Sequence, residues 1–167
     1  MSVQNINDVR PYLTFTLGEE LFAVDVSKVR EVLDYTNITK IPRTPEYMRG
    51  VINLRGSVVP VIDLRLKFGM SKSERTIKTC IIVLEIAFDH ETVVLGALAD
   101  SVEEVFELEP AQIEPPPRLG TKFKAEFLQG MGKREENFLM ILEIDKVFSS
   151  DELIIVQETG SLMAESA

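Results

Sequence analysis

Gly50-Val51-Ile52-Asn53-Leu54-Arg55-Gly56-Ser57-Val58-Val59-Pro60-Val61-Ile62-Asp63-Leu64 holds two apolar runs around a Gly-Ser pair. Glycine reaches the positive φ required at the first central position of a type II′ turn, so the spacing predicts a two-residue hairpin at Arg55-Gly56-Ser57-Val58. That register opposes Arg55 to Val58, Leu54 to Val59, Asn53 to Pro60 and Ile52 to Val61. Opposed residues share a sheet face, so Leu54, Val59, Ile52 and Val61 form an apolar face. Arg55, Asn53, Pro60, Val51 and Ile62 form the other. Pro60 lacks an N–H, which requires a free edge or a break in the ladder. The mixed face reads either as a partly covered barrel strand with Arg55 paired to a carboxylate, or as a docking face.

Outward from the hairpin, Tyr12 to Leu17 alternates as a half-buried strand and Leu21 to Val26 returns as a second one. Ser27 reads as the cap of a short helical turn over 28–33, with Val29, Val32 and Leu33 on one side and Glu31 on another. The polar span 67–78 is a connector. Thr79 to Ile86 suits a strand buried on both faces, and Thr92 to Ala99 follows with Gly96 at a bulge. Ser101 to Leu108 keeps Val102, Val105, Phe106 and Leu108 apolar, and Pro110, Pro115, Pro116 and Pro117 mark a loop. Phe127 to Gly132 and Phe138 to Ile144 make a second hairpin; Asp145 and Ser150 are candidate caps, the latter opening a helix to about Gln157.

The two hairpins repeat each other. Gly130 follows Gly50 by 80 residues, and the same shift lays Val58 to Leu64 on Phe138 to Ile144 and Phe68 on Phe148. A shift of 73 lays Val29-Arg30-Glu31-Val32-Leu33 on Val102-Glu103-Glu104-Val105-Phe106. Two matches in one order indicate duplication, with the length difference taken up in the Pro-rich loop. Each copy has too few strands for a deep core, which predicts two small β-barrels packed together, with equivalent elements lining their junction.

Composition bounds the function. The chain has 167 residues, 45% of them hydrophobic, with a net charge of -9, which argues against nucleic acid and anionic membranes. No apolar run approaches the ~20 residues of a membrane span, and no signal peptide opens the sequence, so a cytoplasmic protein is expected, with neither membrane insertion nor a cofactor. Residues 1–11 and 158–167 read as loose tails around a domain over 12–157, whose two subdomains meet near 67–78 and 145–157.

Catalytic signals are sparse. His90 is the sole histidine and falls at a hairpin tip; Cys80 is the sole cysteine and lies in the buried strand. One of each is a poor zinc ligand set, and a buried thiol acts as a small hydrophobe. No G-x-S-x-G elbow is present, and Gly120-Thr121-Lys122 has Pro115 where a P-loop needs glycine. A duplicated β scaffold without catalytic groups is expected to bind proteins, with a groove lined by Val29, Val32, Val102 and Val105 suited to a helix.

From Tyr12 to Gln157 the chain resembles the CheW family of chemotaxis coupling proteins. The resemblance rests on the 50–64 hairpin, supported by Phe15-Thr16-Leu17-Gly18, Val29-Arg30-Glu31-Val32 and Phe127-Leu128-Gln129-Gly130. It implies a mainly β fold of two SH3-like five-stranded barrels sharing a core, with short helices and a C-terminal helix. It also implies an adaptor, not an enzyme, linking the cytoplasmic hairpin tip of methyl-accepting chemotaxis receptors to the regulatory domain of the histidine kinase CheA at membrane-associated arrays. The receptor side carries over to Val29, Glu31 and Arg55, with Val32, Val102 and Val105 added as the apolar groove, and Arg55 and Glu31 are expected to form a charge-assisted bond. The kinase side has no residue assignment. A CheV-like or CheA regulatory-domain-like scaffold in a pathway that does not control motility is an alternative. The absence of a kinase domain before the barrels and of a receiver domain after Gln157 argues against it. From a different class, a small enzyme or ligand-binding barrel is the other alternative; a closed polar pocket with convergent titratable groups would mark it.

Overall fold

The computed structural model of the chain describes residues 9–116 and 125–166. Pro117 and the Gly120-Thr121-Lys122 segment lie outside the described residues, as do residues 1–8 of the N-terminal span. Among the described residues eleven strands and three α-helices follow in order: β1 (Arg10–Leu17), β2 (Glu20–Asp25), β3 (Val29–Asp34), β4 (Met48–Leu54), β5 (Ser57–Asp63), α1 (Leu64–Lys67), β6 (Cys80–Phe88), β7 (Glu91–Ala99), β8 (Ser101–Leu108), β9 (Ile113–Glu114), β10 (Leu128–Arg134), β11 (Asn137–Leu142), α2 (Ile144–Val147) and α3 (Ser150–Ser166). They form two curled sheets, ordered β8-β1-β2-β11-β10-β9 and β3-β6-β7-β5-β4, which bears out the mainly β, paired-barrel fold. The first sheet exceeds five strands only by the two-residue β9.

The duplication is visible in the geometry. Each β4–β5-type hairpin has a register shift just before its glycine, between Met48 and Gly50 and between Leu128 and Gly130. The helices α1 and α2 begin and end 80 residues apart. The copies nevertheless exchange strands. One sheet combines β1 and β2 with β8 to β11, and the other combines β3 to β5 with β6 and β7. The chain changes sheet after β2 and after β7, whereas the connector over 67–78 joins two strands of one sheet.

Three apolar clusters follow from strand alternation. Leu13, Phe15, Phe22 and Leu142 from one sheet meet Ile62, Ile82, Leu84 and Leu95 from the other in the central core. Ile52, Val59, Val61, Ile81 and Val83 fill the curl of the second sheet; Tyr12, Ala23, Leu108, Leu139 and Ile141 fill the curl of the first. Strand β6 serves both clusters of its sheet, so it is buried on both faces, as its apolar run predicts.

The 50–64 hairpin forms with a different turn. Leu54 pairs with Ser57, and the two loop residues are Arg55 (φ 49) and Gly56 (φ 87), as in a type I′ turn. The Asn53 side-chain oxygen accepts from the Gly56 N–H at 2.9 Å and fixes this turn. The partner of each β4 residue moves by two positions, which leaves every side chain on its expected face. Val51 opposes Pro60 but exchanges hydrogen bonds with Thr39 at 2.8 and 2.9 Å. The Pro60 nitrogen therefore points toward β7, where the β5–β7 ladder starts only at Val61.

Four local readings change. Residues 29–34 are a strand, preceded by a 3-10 turn (Val26–Lys28) whose first turn is capped by Asp25, not Ser27. Gly96 sits in an unbroken β6–β7 ladder, where it leaves room for Ile81, whose Cγ2 would lie 2.7 Å from an added Cβ. The C-terminal helix runs to Ser166 and starts with a capping box, the Ser149 hydroxyl accepting from Glu152 N–H at 3.1 Å and Glu152 accepting from Ser149 N–H at 2.8 Å. Asp145 caps nothing; it accepts from Lys28 Nζ at 2.7 Å and Ala87 N–H at 3.1 Å, tying α2 to the entry of β3. No helix among the described residues is long and apolar enough to cross a membrane.

Candidate docking surface

Strands β3 and β8 are the repeat equivalents of each other, and each is an edge strand of its sheet. Each carries one bulge. In β3, Val29 pairs with Leu84 and Val32 with Ile82, with the register shift between Val29 and Glu31. In β8, Val102 pairs with Phe15 and Val105 with Leu13, with the shift opposite Thr14. A bulge adds one residue to the strand, so residues three apart share a face. Val29 and Val32 therefore face the side of Leu84 and Ile82, and Val102 and Val105 the side of Phe15 and Leu13. Val29 and Val102 are half-buried against the central core. Val32 and Val105 are 41% and 56% exposed.

The β8 bulge is held by Thr14, a fully buried polar residue. Its hydroxyl donates to the Glu104 carbonyl at 2.8 Å and accepts from the Glu104 N–H at 3.1 Å. In the alternation of Tyr12 to Leu17, Thr14 falls on the face opposite Leu13 and Phe15, which by itself marks no role for it. A hydroxyl residue fully enclosed on a strand is the signal that it satisfies backbone groups the ladder leaves open.

Glu31 and Arg55 meet as expected. The guanidinium donates through both terminal nitrogens, Nη1 to Oε1 at 3.2 Å and Nη2 to Oε2. This side-chain bond, with the Arg55 charge, holds the Glu31 carboxyl below the usual carboxylate range. Arg30 Nε donates to Glu85 at 2.8 Å along the same edge. Glu31 and Leu33 pair with Val83 and Ile81, so they face away from Val29 and Val32. The six residues singled out from sequence thus divide. Val29, Val32, Val102 and Val105 lie on the core-facing sides of two edges, and the Glu31–Arg55 pair lies on the opposite face of β3.

Among the described residues, His90 and Cys80 are not brought together with other catalytic groups. His90 is exposed at the β6–β7 turn with φ 63. Burial pushes the Cys80 thiol up, and the Asp34 and Asp100 charges add to it, so the reactive thiolate is disfavoured. Among the described residues, no group of three or more His, Cys, Asp or Glu is placed to hold a metal ion. One partly open cleft is lined by six charged residues; four of them are paired, Arg49 with Asp63 at 2.9 Å and Arg65 with Asp100 at 2.8 Å, Arg75 lies over the Tyr35 ring at 4.3 Å, and Glu74 is the sixth.

Comparison with known proteins gives a consistent result. The family model described as CheW-like domain matches residues 11–152. The chain is 39% identical over 152 residues to a chemotaxis protein CheW of Klebsiella aerogenes, covering 89% of this chain and 87% of that protein. It is 34% identical over 146 residues to a chemotaxis protein CheW of Rhizobium meliloti, covering 87% and 92%. The crystal structure of the scaffolding protein TtCheW from Thermoanaerobacter tengcongensis superposes with a TM-score of 0.77 at 33% identity, covering 92% of this chain and 99% of that one.

Proposed function

The chain belongs to the CheW-like domain family of scaffolding proteins, which are not enzymes, and on that footing we propose that it couples the cytoplasmic hairpin tip of methyl-accepting chemotaxis receptors to the regulatory domain of the histidine kinase CheA. It works in the cytoplasm, recruited to receptor arrays at the membrane without inserting into it. The supporting observation is the matched pair of bulged edge strands, each presenting an exposed valine beside a half-buried one. Apolar residues at this spacing suit the ridge of a helix, whose neighbouring positions recur every three or four residues. Val29, Val32, Val102 and Val105 supply that apolar contact. Arg55 and Glu31 hold the outer face of β3 in shape and add a polar contact at the rim.

The deciding experiment is a pull-down of this protein with a receptor cytoplasmic fragment and CheA, followed by kinase assays with and without it. Receptor-dependent stimulation of CheA that requires this protein supports the proposal. Separate binding to receptor and kinase without stimulation, or turnover of a substrate by this protein alone, overturns it.

A further inference from the structure

Helix α3 has a seat that its repeat counterpart leaves empty. It follows β11 of the first sheet but lies over β5 and β7 of the second, where Val156 and Gly160 approach Val58, Pro60 and Val93. Leu153 and Val156 of α3 extend the central core there. The repeat relation carries Val58 and Pro60 onto Phe138 and Met140, and β5–β7 pairing at Val61 and Gly96 onto β11–β2 pairing at Ile141 and Ala23. Val93 thus falls on Glu20. A helix following α1 would complete the symmetry. The chain instead leaves α1 through Gly69, at φ 80, and forms no helix before β6. Phe138 is left 49% exposed, with Met140 partly exposed and Glu20 exposed on the same face, whereas Leu21 packs on the opposite face of the sheet.

We propose that this face of β2 and β11 docks an amphipathic helix of a partner protein, seated as α3 is seated on β5 and β7, and carrying basic residues along its flanks. The charge follows from the rim. Exposed Glu19 and Glu20 end the β1–β2 turn and exposed Glu135 and Glu136 form the β10–β11 turn, against Lys133 beside Phe138 and Arg134 next to it in sequence. The rim is net acidic, and so is α3, with Asp151, Glu152 and Glu158. Exchange of α3 between two copies would bring like charges together, which selects a cationic helix of another chain. The face lies on β11, separated from edge β8 by β1 and β2, and is distinct from Val32 and Val105.

The test uses the full-length, nitrogen-15-labelled protein and two designed helical peptides. Both carry Leu, Val and Gly at the spacing of Leu153, Val156 and Gly160; one has lysines and the other glutamates at the outward positions. The expected result is saturable amide shifts at Glu20 and Phe138–Met140 with the lysine peptide. Phe138→Ala is expected to weaken binding about tenfold, and Glu20→Lys with Glu136→Lys about fivefold, both with unchanged melting. Equal binding of both peptides, shifts confined to β3 and β8, no shift at millimolar peptide, or a Phe138-dependent dimer without peptide would each overturn the proposal.

Discussion

The Thr14 hydroxyl clasps the Glu104 backbone at both of its polar groups, donating to the carbonyl at 2.8 Å and accepting from the N–H at 3.1 Å. It replaces the ladder bonds that the extra β8 residue displaces, so the placement of Val102 and Val105 on one face depends on it. Thr14→Val keeps the shape and removes both bonds. The expected cost is about 1–3 kcal/mol, the range for leaving buried polar groups without partners. Thr14→Ser is expected to restore most of it. Urea unfolding measures the loss, and faster amide exchange at Glu104 than in strand β6 locates it.

The Arg55–Glu31 pair is mostly open to water at Arg55, and exposed pairs of this kind add little to stability. Arg55→Ala is therefore expected to melt with the parent while weakening receptor-dependent CheA activation. Exchanging the two, Arg55→Glu with Glu31→Arg, is expected to recover part of the activation. A large fall in melting temperature for Arg55→Ala would assign the pair to the fold.

Val32 and Val105 are expected to behave as equivalents. Each is exposed, so Val32→Ala and Val105→Ala should leave unfolding unchanged. Each removes apolar surface that a docked helix would cover, worth about 1 kcal/mol, or roughly a fivefold loss of receptor affinity. Titration of a receptor cytoplasmic fragment against each variant checks this. A loss in one variant alone would mean that the two edges do not share a partner.

Glu152 links α3 to the repeat junction. It accepts from Lys67 Nζ at 2.9 Å, and that ammonium lies 5.4 Å from the Phe127 ring centroid and 5.9 Å from those of Tyr47 and Phe148. Burial alone would raise the Glu152 carboxyl, but the Ser149 N–H and the Lys67 ammonium outweigh it and hold it below the usual range. A carboxylate lowered on folding contributes its full stability above its unfolded pKa and loses it as pH falls through the folded value. The start of α3 is thus expected to fray in acid below the ordinary carboxylate range, seen as amide exchange at Leu153. Glu152→Gln should remove that pH dependence; its amide oxygen still accepts from the Ser149 N–H, so the cost at neutral pH, about 1–3 kcal/mol, is that of leaving Lys67 without its charged partner. Burial, reinforced by the Glu152 charge and hydrogen bond, pushes the Tyr47 phenol up to about 12. An ultraviolet titration should find that midpoint, and Glu152→Gln should lower it without returning it to an ordinary tyrosine value.

Much of this was legible in the sequence because period-two alternation and repeat offsets are local signals. The offset of 80 located both hairpins; the one-turn helices and the register shifts obey the same offset but are seen only in the structure. Residues 28–33 misled for a physical reason. A bulge puts Val29 and Val32 on one face of a strand, and a three-residue spacing is also the mark of a helix. The same effect hid the division of the site, since alternation alone cannot place Glu31 and Val32 once a residue has been inserted between ladder pairs. The type I′ turn was missed because Arg55, not glycine, takes its first position, and the preference of Asn53 for the Gly56 N–H lies outside the turn. A linear repeat also carries no record of which copy a strand pairs with, so the exchange of strands between the sheets became visible only in three dimensions.

Glycines in the hairpins separate steric need from turn preference. A Cβ on Gly50, at φ 145, would meet the Thr39 carbonyl oxygen at 2.1 Å and Ile38 Cγ2 at 2.8 Å. Thr39 pairs with Val51, so the clash falls on backbone that has no room to retreat. Its counterpart Gly130 would meet Ile113 Cγ2 at 2.5 Å and the Glu114 carbonyl oxygen at 2.6 Å. The short β9 strand thus plays for β10 the part that Thr39 plays for β4. At Gly56, φ 87, an added Cβ has nothing within 4 Å, and only the left-handed backbone is penalised, by about 1–2 kcal/mol. Gly50→Ala is expected to cost more than Gly56→Ala, by about the 1–3 kcal/mol of overpacking, because the same backbone penalty is joined by displacement of the 38–39 segment. Gly130→Ala carries the overpacking with no positive φ and is expected to fall between them. Urea unfolding of the three variants tests the order. A Gly56→Ala loss as large as that of Gly50→Ala would show that turn conformation, not the approach of the neighbouring strand, fixes glycine in this hairpin.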